Sequence, residues 1–185
     1  MTATIDYTTL TGEYTLDPSH SRMGFVARHA MVTKVRGSFN AFTGSATIDG
    51  ADPSVSSVSV TIDASSIDTR NADRDGHLRG NDFLDLETYP EITFTSTSIS
   101  QSGDDAFDVT GDLTIKGVTK EITVPFSFEG TATDPFGNSR VGFEGSTTIN
   151  RKDYGVTWNA VLETGGVLVS DKITLEFEIS AIKNA

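Results

Sequence analysis

Near its C-terminus the chain alternates apolar and polar side chains with a period of two, a pattern that only a β-strand with one buried face satisfies. Val169, Ile173, Leu175, Phe177, Ile179 and Ala181 share one face, broken only by Asp171, while Ser170, Lys172, Thr174, Glu176, Glu178 and Ser180 share the other. The same test succeeds for Phe107, Val109, Leu113 and Ile115, and again for Ile122, Val124, Phe126 and Phe128. Lys116, Gly117 and Val118 between them read as a turn, and Pro125, which cannot donate to a ladder, points to an edge position or a bulge. Shorter stretches with the pattern are Val58, Val60 and Ile62, then Ile92 and Phe94, then Val141, Phe143 and Ile149.

Upstream, Tyr14 and Leu16 open one strand, Met23, Phe25 and Ala27 mark a second, and 35–48 form a long third whose phase slips between Phe39 and Phe42. One extra residue near Asn40 and Ala41 predicts a β-bulge, a usual way to bend a strand around a barrel. Only 71–81 reads as helical, with Asn71 as cap and Asp73 and Asp75 in the first turn, where the helix dipole favours anions. Gly76 and Gly80 weaken it, and Phe83, Leu84 and Leu86 are expected to dock it over one end of the sheet, in preference to a plain long loop. Residues 1–10 lack periodicity and read as a mobile tail, leaving 11–185 as the folded domain. Long strands with a bulge favour an all-β, antiparallel barrel of about eight strands with one short helix over a sandwich.

A chain of 185 residues that is 36% hydrophobic and 22% charged suits one domain with a sizeable core. Its formal net charge of −12 means that the molecule taken as a whole repels phosphate backbones and anionic membranes, so nucleic acid is not an expected partner. There is no cysteine, which excludes disulfides and thiolate metal sites. No basic segment precedes an apolar run, and no stretch offers the ~18 apolar residues of a spanning helix. The sequence therefore reads as cytoplasmic, or as periplasmic or secreted if a leader has been removed.

The segments that carry these patterns also resemble the YceI-like family. They are YTLDPSHSRMGFVARHAMVTKVRGSF at 14–39, DRDGHLRGNDFLDLETYPEITFTST at 73–97, GDLTIKGVTKEITV at 111–124, and INRKDYGVTWN at 149–159 with ETGGVLVSDKITLEFEISAI at 163–182. Several long segments in the expected order are far more specific than any short motif. The resemblance implies an extended lipocalin-like barrel whose lumen accepts a long apolar chain, since the family includes polyisoprenoid-binding proteins. Secreted members carry a signal peptide, and this sequence departs from them there.

Parity places Phe25, Phe94, Phe107, Phe126, Phe128, Phe143 and Phe177 inward. Each alone is best explained as core filling; for the set, the resemblance favours a lined cavity. His29 shares parity with Met23 and Phe25 and is a candidate contact for a polar head group near the lumen mouth, while a backbone-satisfied histidine is the plainer reading. His20 faces the opposite way, so the two do not converge on a metal, and His77 reads as surface. Tyr154 and Trp158 either lie against a ligand or simply pack. Arg70, Arg74, Arg79, Lys116, Lys120, Arg151 and Lys152 are the cations nearest predicted loops and candidates for an anionic head group, although most read as surface charges.

Asp73, Asp75, Asp82, Asp85 and Glu87 lack the spacing of a calcium loop and read as a solvated face or helix capping. No nucleophile elbow, zinc-protease, phosphate-loop or dinucleotide fingerprint occurs, so neither a catalytic residue nor a cofactor is expected. The leading expectation is a carrier or sequestering protein for an isoprenoid or similar long-chain lipid. The alternatives are an enzyme using the same cavity and a protein-binding scaffold with a filled lumen. A homodimer is compatible with the sequence.

Overall fold

The structure is a computed structural model that describes residues 4–163 and 165–185. Its strands are β1 (Gly12–Leu16), β2 (Arg22–His29), β3 (Thr33–Phe39), β4 (Phe42–Ile48), β5 (Ser57–Asp63), β6 (Ile67–Asp68), β7 (Glu91–Gln101), β8 (Ala106–Ile115), β9 (Val118–Thr133), β10 (Ser139–Asn150) and β11 (Lys172–Lys183); the one α-helix, α1, spans Ala72–Arg79. β1 and β2 act as one bent strand, and so do β3 and β4: β1 pairs with β4, and β2 pairs with β3. β11 closes the ring by pairing with β1 through Ala181–Lys183 and with β2 through Thr174–Glu178. The result is a closed antiparallel barrel of eight long strands, as the alternation and the resemblance both predicted.

Local chemistry sets the bends. Asn40 and Ala41 fall outside the ladders between β3 and β4, where the phase slip placed a bulge. Glu129 is an extra residue in β9, since Gly142 pairs with Gly130 but Phe143 with Phe128. The β8–β9 hairpin turns through Lys116 and Gly117, both with positive φ (50° and 73°), the backbone of a two-residue type I′ turn. Pro125 sits where the β9–β10 ladder stops, one residue beyond the last pair, Phe126 with Gly145, so it lies on a local edge. Asn71 caps α1 by accepting the amide of Arg74 at 3.0 Å. Asp6, Asp17, Asp52 and Asp63 each accept the amide two residues ahead and start a 3-10 turn, which assigns several acidic residues a local structural task.

The barrel has two dissimilar ends. One is formed by 49–56, 102–105, 134–138 and the 3-10 helix Tyr7–Leu10. The segment expected as a mobile tail is therefore ordered from at least Tyr7: its ring packs edge-on against Phe107 (5.2 Å) and Phe128 (5.3 Å), its hydroxyl donates to the Asp104 carbonyl, and Leu10 is buried. Periodicity is uninformative for a segment this short, so its two anchoring apolar side chains left no pattern. Residues 1–3 lie outside the described residues.

The other end carries α1, the 30–32 and 116–117 turns, and the connection 151–171. Phe83, Ile92, Leu113, Ile149, Tyr154 and Val156 form a core cluster there. Arg151, 5% exposed, holds the connection by donating to the carbonyls of Ser170 (2.8 Å), Val156 (2.8 Å) and Trp158 (2.9 Å). The Tyr154 hydroxyl is buried without a hydrogen-bond partner among the described residues, and burial pushes its pKa up to about 12.

At the first end Arg140 joins two turns, with Nη1 2.6 Å from Asp17 Oδ2 and Nε 2.9 Å from Asp134 Oδ2. Both carboxyls are held well below the usual range, Asp17 by the Ser19 hydroxyl and Arg140, and Asp134 chiefly by Asn138 with Arg140 adding to it. Depressed folded-state values mean that this stabilisation is complete above the unfolded carboxylate value of ~3.9 and is lost as pH falls below it. Arg140→Met should lower stability near neutral pH and make stability fall less steeply below pH ~4. Urea melts at several pH values check this; an unchanged acid slope would contradict the clamp. A second expectation follows from the register: Phe126→Arg places an unpaired charge inside the barrel and should cost at least about 3 kcal/mol. Ser127→Arg, one residue on and facing outward, should be benign, and equal losses in both would refute the face assignment.

Candidate functional site

Closing the sheet brings the inward-facing residues of all eight strands around a single lumen. A belt of side chains runs across six strands in register: Phe107 pairs with Phe126, Phe126 with Gly145, Gly145 with Phe177, Phe177 with Met23, and Met23 with Phe39. Val109, Val124, Leu113, Ile62 and Ile92 extend the apolar wall towards the helix end, and Tyr14, Leu16, Val141 and Ala181 extend it towards the Tyr7 end. The cavity they enclose measures about 250 Å³.

Three glycines keep that space open. A Cβ on Gly37 would lie 2.4 Å from the Phe25 ring, one on Gly111 2.6 Å from the Phe94 ring, and one on Gly145 2.6 Å from the Phe126 ring. Each ring therefore lies along the wall across a neighbouring strand instead of projecting to the axis. This arrangement exists only because the neighbour lacks a side chain.

The lumen is electrically quiet. Among the described residues its lining contains no histidine, lysine, arginine or glutamate, and its one carboxylate is Asp49 at the rim. Tyr7 and Tyr14 contribute phenols whose pKa values burial pushes up, so both are neutral at physiological pH. Groups whose titration is strongly shifted, Asp17, Asp134 and Tyr154, lie outside the lumen lining.

Of the residues selected from sequence, Phe25, Phe94, Phe107, Phe126, Phe143 and Phe177 line the cavity. Phe128 packs beside Phe143 (5.5 Å) and beneath Tyr7. His29 does not join them: it sits exposed at the end of β2, bridged to Val169, because β2 runs past the rim. Trp158 also lies apart, against His77 (4.8 Å) and Phe83 (5.3 Å), where it covers the outside of the helix-end core. His77 is exposed and lies 2.9 Å from Asp82, while His20 pairs with Asp17. Asp75, read as solvated, is instead buried and accepts from the Thr69 amide at 2.9 Å and from its hydroxyl.

Several candidate head-group cations are engaged elsewhere. Arg74 donates to Thr69, Arg79 to the carbonyls of Ser65 and Ile67, Lys116 to Gly155, and Lys152 faces Asp171 at 3.4 Å. Lining residues that sequence reasoning did not select include Phe39, at the end of the belt, and Tyr7 and Leu10, from the supposed tail; it also passed over Gly37, Gly111 and Gly145, whose contribution is the absence of a side chain. Among the described residues no helix is long and apolar enough to cross a membrane.

The fold has known counterparts. A family model described as the YceI-like domain matches residues 14–181. A UPF0312 protein of Staphylococcus aureus (strain MSSA476) is 41% identical over 169 residues, spanning 91% of this chain and 95% of the relative. The crystal structure of Burkholderia cenocepacia BcnA superposes with a TM-score of 0.79 at 28% identity, covering 89% of this chain and 98% of that one. At the level of fold alone, the chain also resembles a polyisoprenoid binding domain from Saccharophagus degradans, with a TM-score of 0.70, 19% identity, and coverage of 92% and 98%. A match across 14–181 with relatives of this similarity is decisive: the chain belongs to the YceI-like family.

Proposed function

We propose that the lumen holds the hydrocarbon chain of an isoprenoid or similar long-chain lipid, and that the protein acts as a carrier or sequestering protein without covalent chemistry. The observation that supports this most is the continuous belt from Phe107 to Phe39 around a cavity whose interior offers no charged group. An apolar chain gains there by leaving water, at roughly 0.8 kcal/mol per methylene, and needs no directional partner. The fold likeness to a polyisoprenoid binding domain agrees with such a ligand. An acid–base pair, which an enzyme acting on the same cargo would need within reach of it, is missing from the described lining.

The size of the void adds a constraint. At about 250 Å³ it lies below the ~300–1,000 Å³ typical of ligand pockets, so it takes a short length of chain as it stands. A longer chain must displace Tyr7 and Leu10, which close the end on which 49–56 also lies. Phe25, Phe94, Phe107, Phe126, Phe143 and Phe177 would then contact the chain, with Phe128 joining them once Tyr7 moves.

Native mass spectrometry of protein purified without organic solvent tests the reading. The expected result is an adduct of hydrocarbon-chain mass that extraction removes and that added polyprenols restore, with affinity rising with chain length until the cavity is full. Protein that carries no adduct and takes up neither polyprenols nor fatty amides would overturn it.

A further inference from the structure

The charge of the chain is unevenly distributed. Although the molecule carries −12, residues 18–48 contain Arg22, Arg28, Lys34 and Arg36 and no aspartate or glutamate. β2 and β3 carry these cations, and the register sets Arg28 directly opposite Lys34. Like charges facing each other across a ladder are destabilising unless an anion lies between them. Among the described residues, Arg28, Lys34 and Arg36 are all exposed, and none forms an ion pair.

The turn that joins these strands is apolar. Met31 is 57% exposed and Val32 76% exposed, in a backbone where Ala30 and Met31 have φ of 51° and 59°. Such a conformation favours glycine or asparagine, so aliphatic side chains here are costly as well as exposed. A second small hairpin lies beside this tip: Ala30 donates to the Leu168 carbonyl at 2.8 Å, Val161 bridges to Val167, and Val161 is 85% exposed. Glu163 is the one carboxylate on that hairpin, and nearby Asp171 faces Arg151 and Lys152.

The opposite end of the barrel has exposed apolar side chains too, Phe136 among them, but its turns and N-terminal segment carry Asp6, Asp49, Asp52, Asp104, Asp105 and Asp134 with no lysine or arginine. The helix end also carries carboxylates, among them Asp68, Asp73, Asp82, Asp85 and Asp153, but there they lie among Arg70, Arg74, Arg79, Arg151 and Lys152, so what distinguishes the two ends is the presence of cations. Aliphatic tips flanked by unpaired cations suit the interfacial zone of an anionic bilayer, where the side chains sink among the head groups and the cations meet phosphate. A nucleic acid would want aromatic stacking surfaces, and Met31, Val32 and Val161 provide none.

We infer that the Met31–Val32 turn, with Val161 beside it and Arg28, Lys34 and Arg36 behind it, is a docking surface for an anionic lipid bilayer. This goes beyond the lumen reading and does not depend on it. The long-range repulsion expected from the net charge is reduced by orientation, because the end whose turns carry carboxylates and no cation points away from the membrane.

Flotation of the full chain at low ionic strength with vesicles of phosphatidylcholine, alone or mixed with phosphatidylglycerol, tests the inference. Binding is expected to the mixed vesicles only and to weaken as salt rises. The triple variant Arg28→Glu, Lys34→Glu, Arg36→Glu should bind about a hundredfold more weakly or worse. Met31→Ser with Val32→Ser should lose about tenfold or more with the melting temperature unchanged. Single variants Lys34→Gln and Val32→Ser should shift the same way by less, and Lys183→Gln, beside Thr9 towards the opposite end, should bind as the parent does. Failure of the parent to float with the mixed vesicles, or tip variants that bind as tightly as the parent, would overturn the inference. So would a DNA duplex that competes equally with the parent and the serine variant, since that would mark a general polyanion site. Native mass spectra of the same variants separate the two proposals: a variant that no longer floats yet still carries a hydrocarbon adduct leaves the lumen reading intact.

Discussion

A strand has a side-chain period of two, so once a sheet closes into a barrel alternate residues of each strand face the same interior. An eight-stranded barrel has an interior just wide enough for side chains to fill it or for one small ligand to share it. Which of these happens is decided by how the inward side chains lie. In this chain seven phenylalanines stand among the valines, leucines and isoleucines of the inner wall, and rings projecting to the axis would fill it. The rings of Phe25, Phe94 and Phe126 instead lie across Gly37, Gly111 and Gly145, and leave a cavity of about 250 Å³. The cavity depends on those aromatic–glycine neighbours more than on any single lining residue.

The two ends complete the enclosure by different means. At one, Tyr7 and Leu10 cover the wall with a short 3-10 turn held by two aromatic contacts of Tyr7, its hydrogen bond to Asp104, the Tyr14 hydroxyl donating to the Leu10 carbonyl at 2.9 Å, and the packing of Leu10 against Tyr14 and Val141. At the other, Arg151 fixes the connection 151–171 by donating to several carbonyls, and Tyr154 is buried in the cluster with Leu113, Ile149 and Val156. A single short turn near a chain end opens at lower free energy than a connection tied at several points by one buried side chain. The Tyr7 end is thus the one suited to yield to a chain longer than the cavity.

Much of this was legible in the sequence because parity is a local property. The faces of β8, β9 and β11, the cap at Asn71, the turn at Lys116 and Gly117, and the slip at Asn40 each follow from residues within a few positions of one another. The inward set of phenylalanines came from the same rule. What stayed hidden depends on where strands end and on what meets across them. His29 has the parity of a lining residue but lies beyond the rim, and Trp158 covers the outside of a core cluster. Tyr7 and Leu10 sit in a segment too short for any period. Reading the charge as one sum of −12 concealed the carboxylate-free run 18–48, although that run is visible in the sequence once charge is followed along the chain.

The account stands on the claim that the space between Phe107, Phe126 and Phe177 is a site for a hydrocarbon chain. A crystal structure of protein purified without solvent extraction tests this most directly. The account predicts continuous, chain-like density along the lumen, in van der Waals contact with those three rings and with Tyr7 displaced in proportion to its length. A lumen occupied by hydrogen-bonded water, or collapsed so that the phenyl rings meet across the axis, would contradict it.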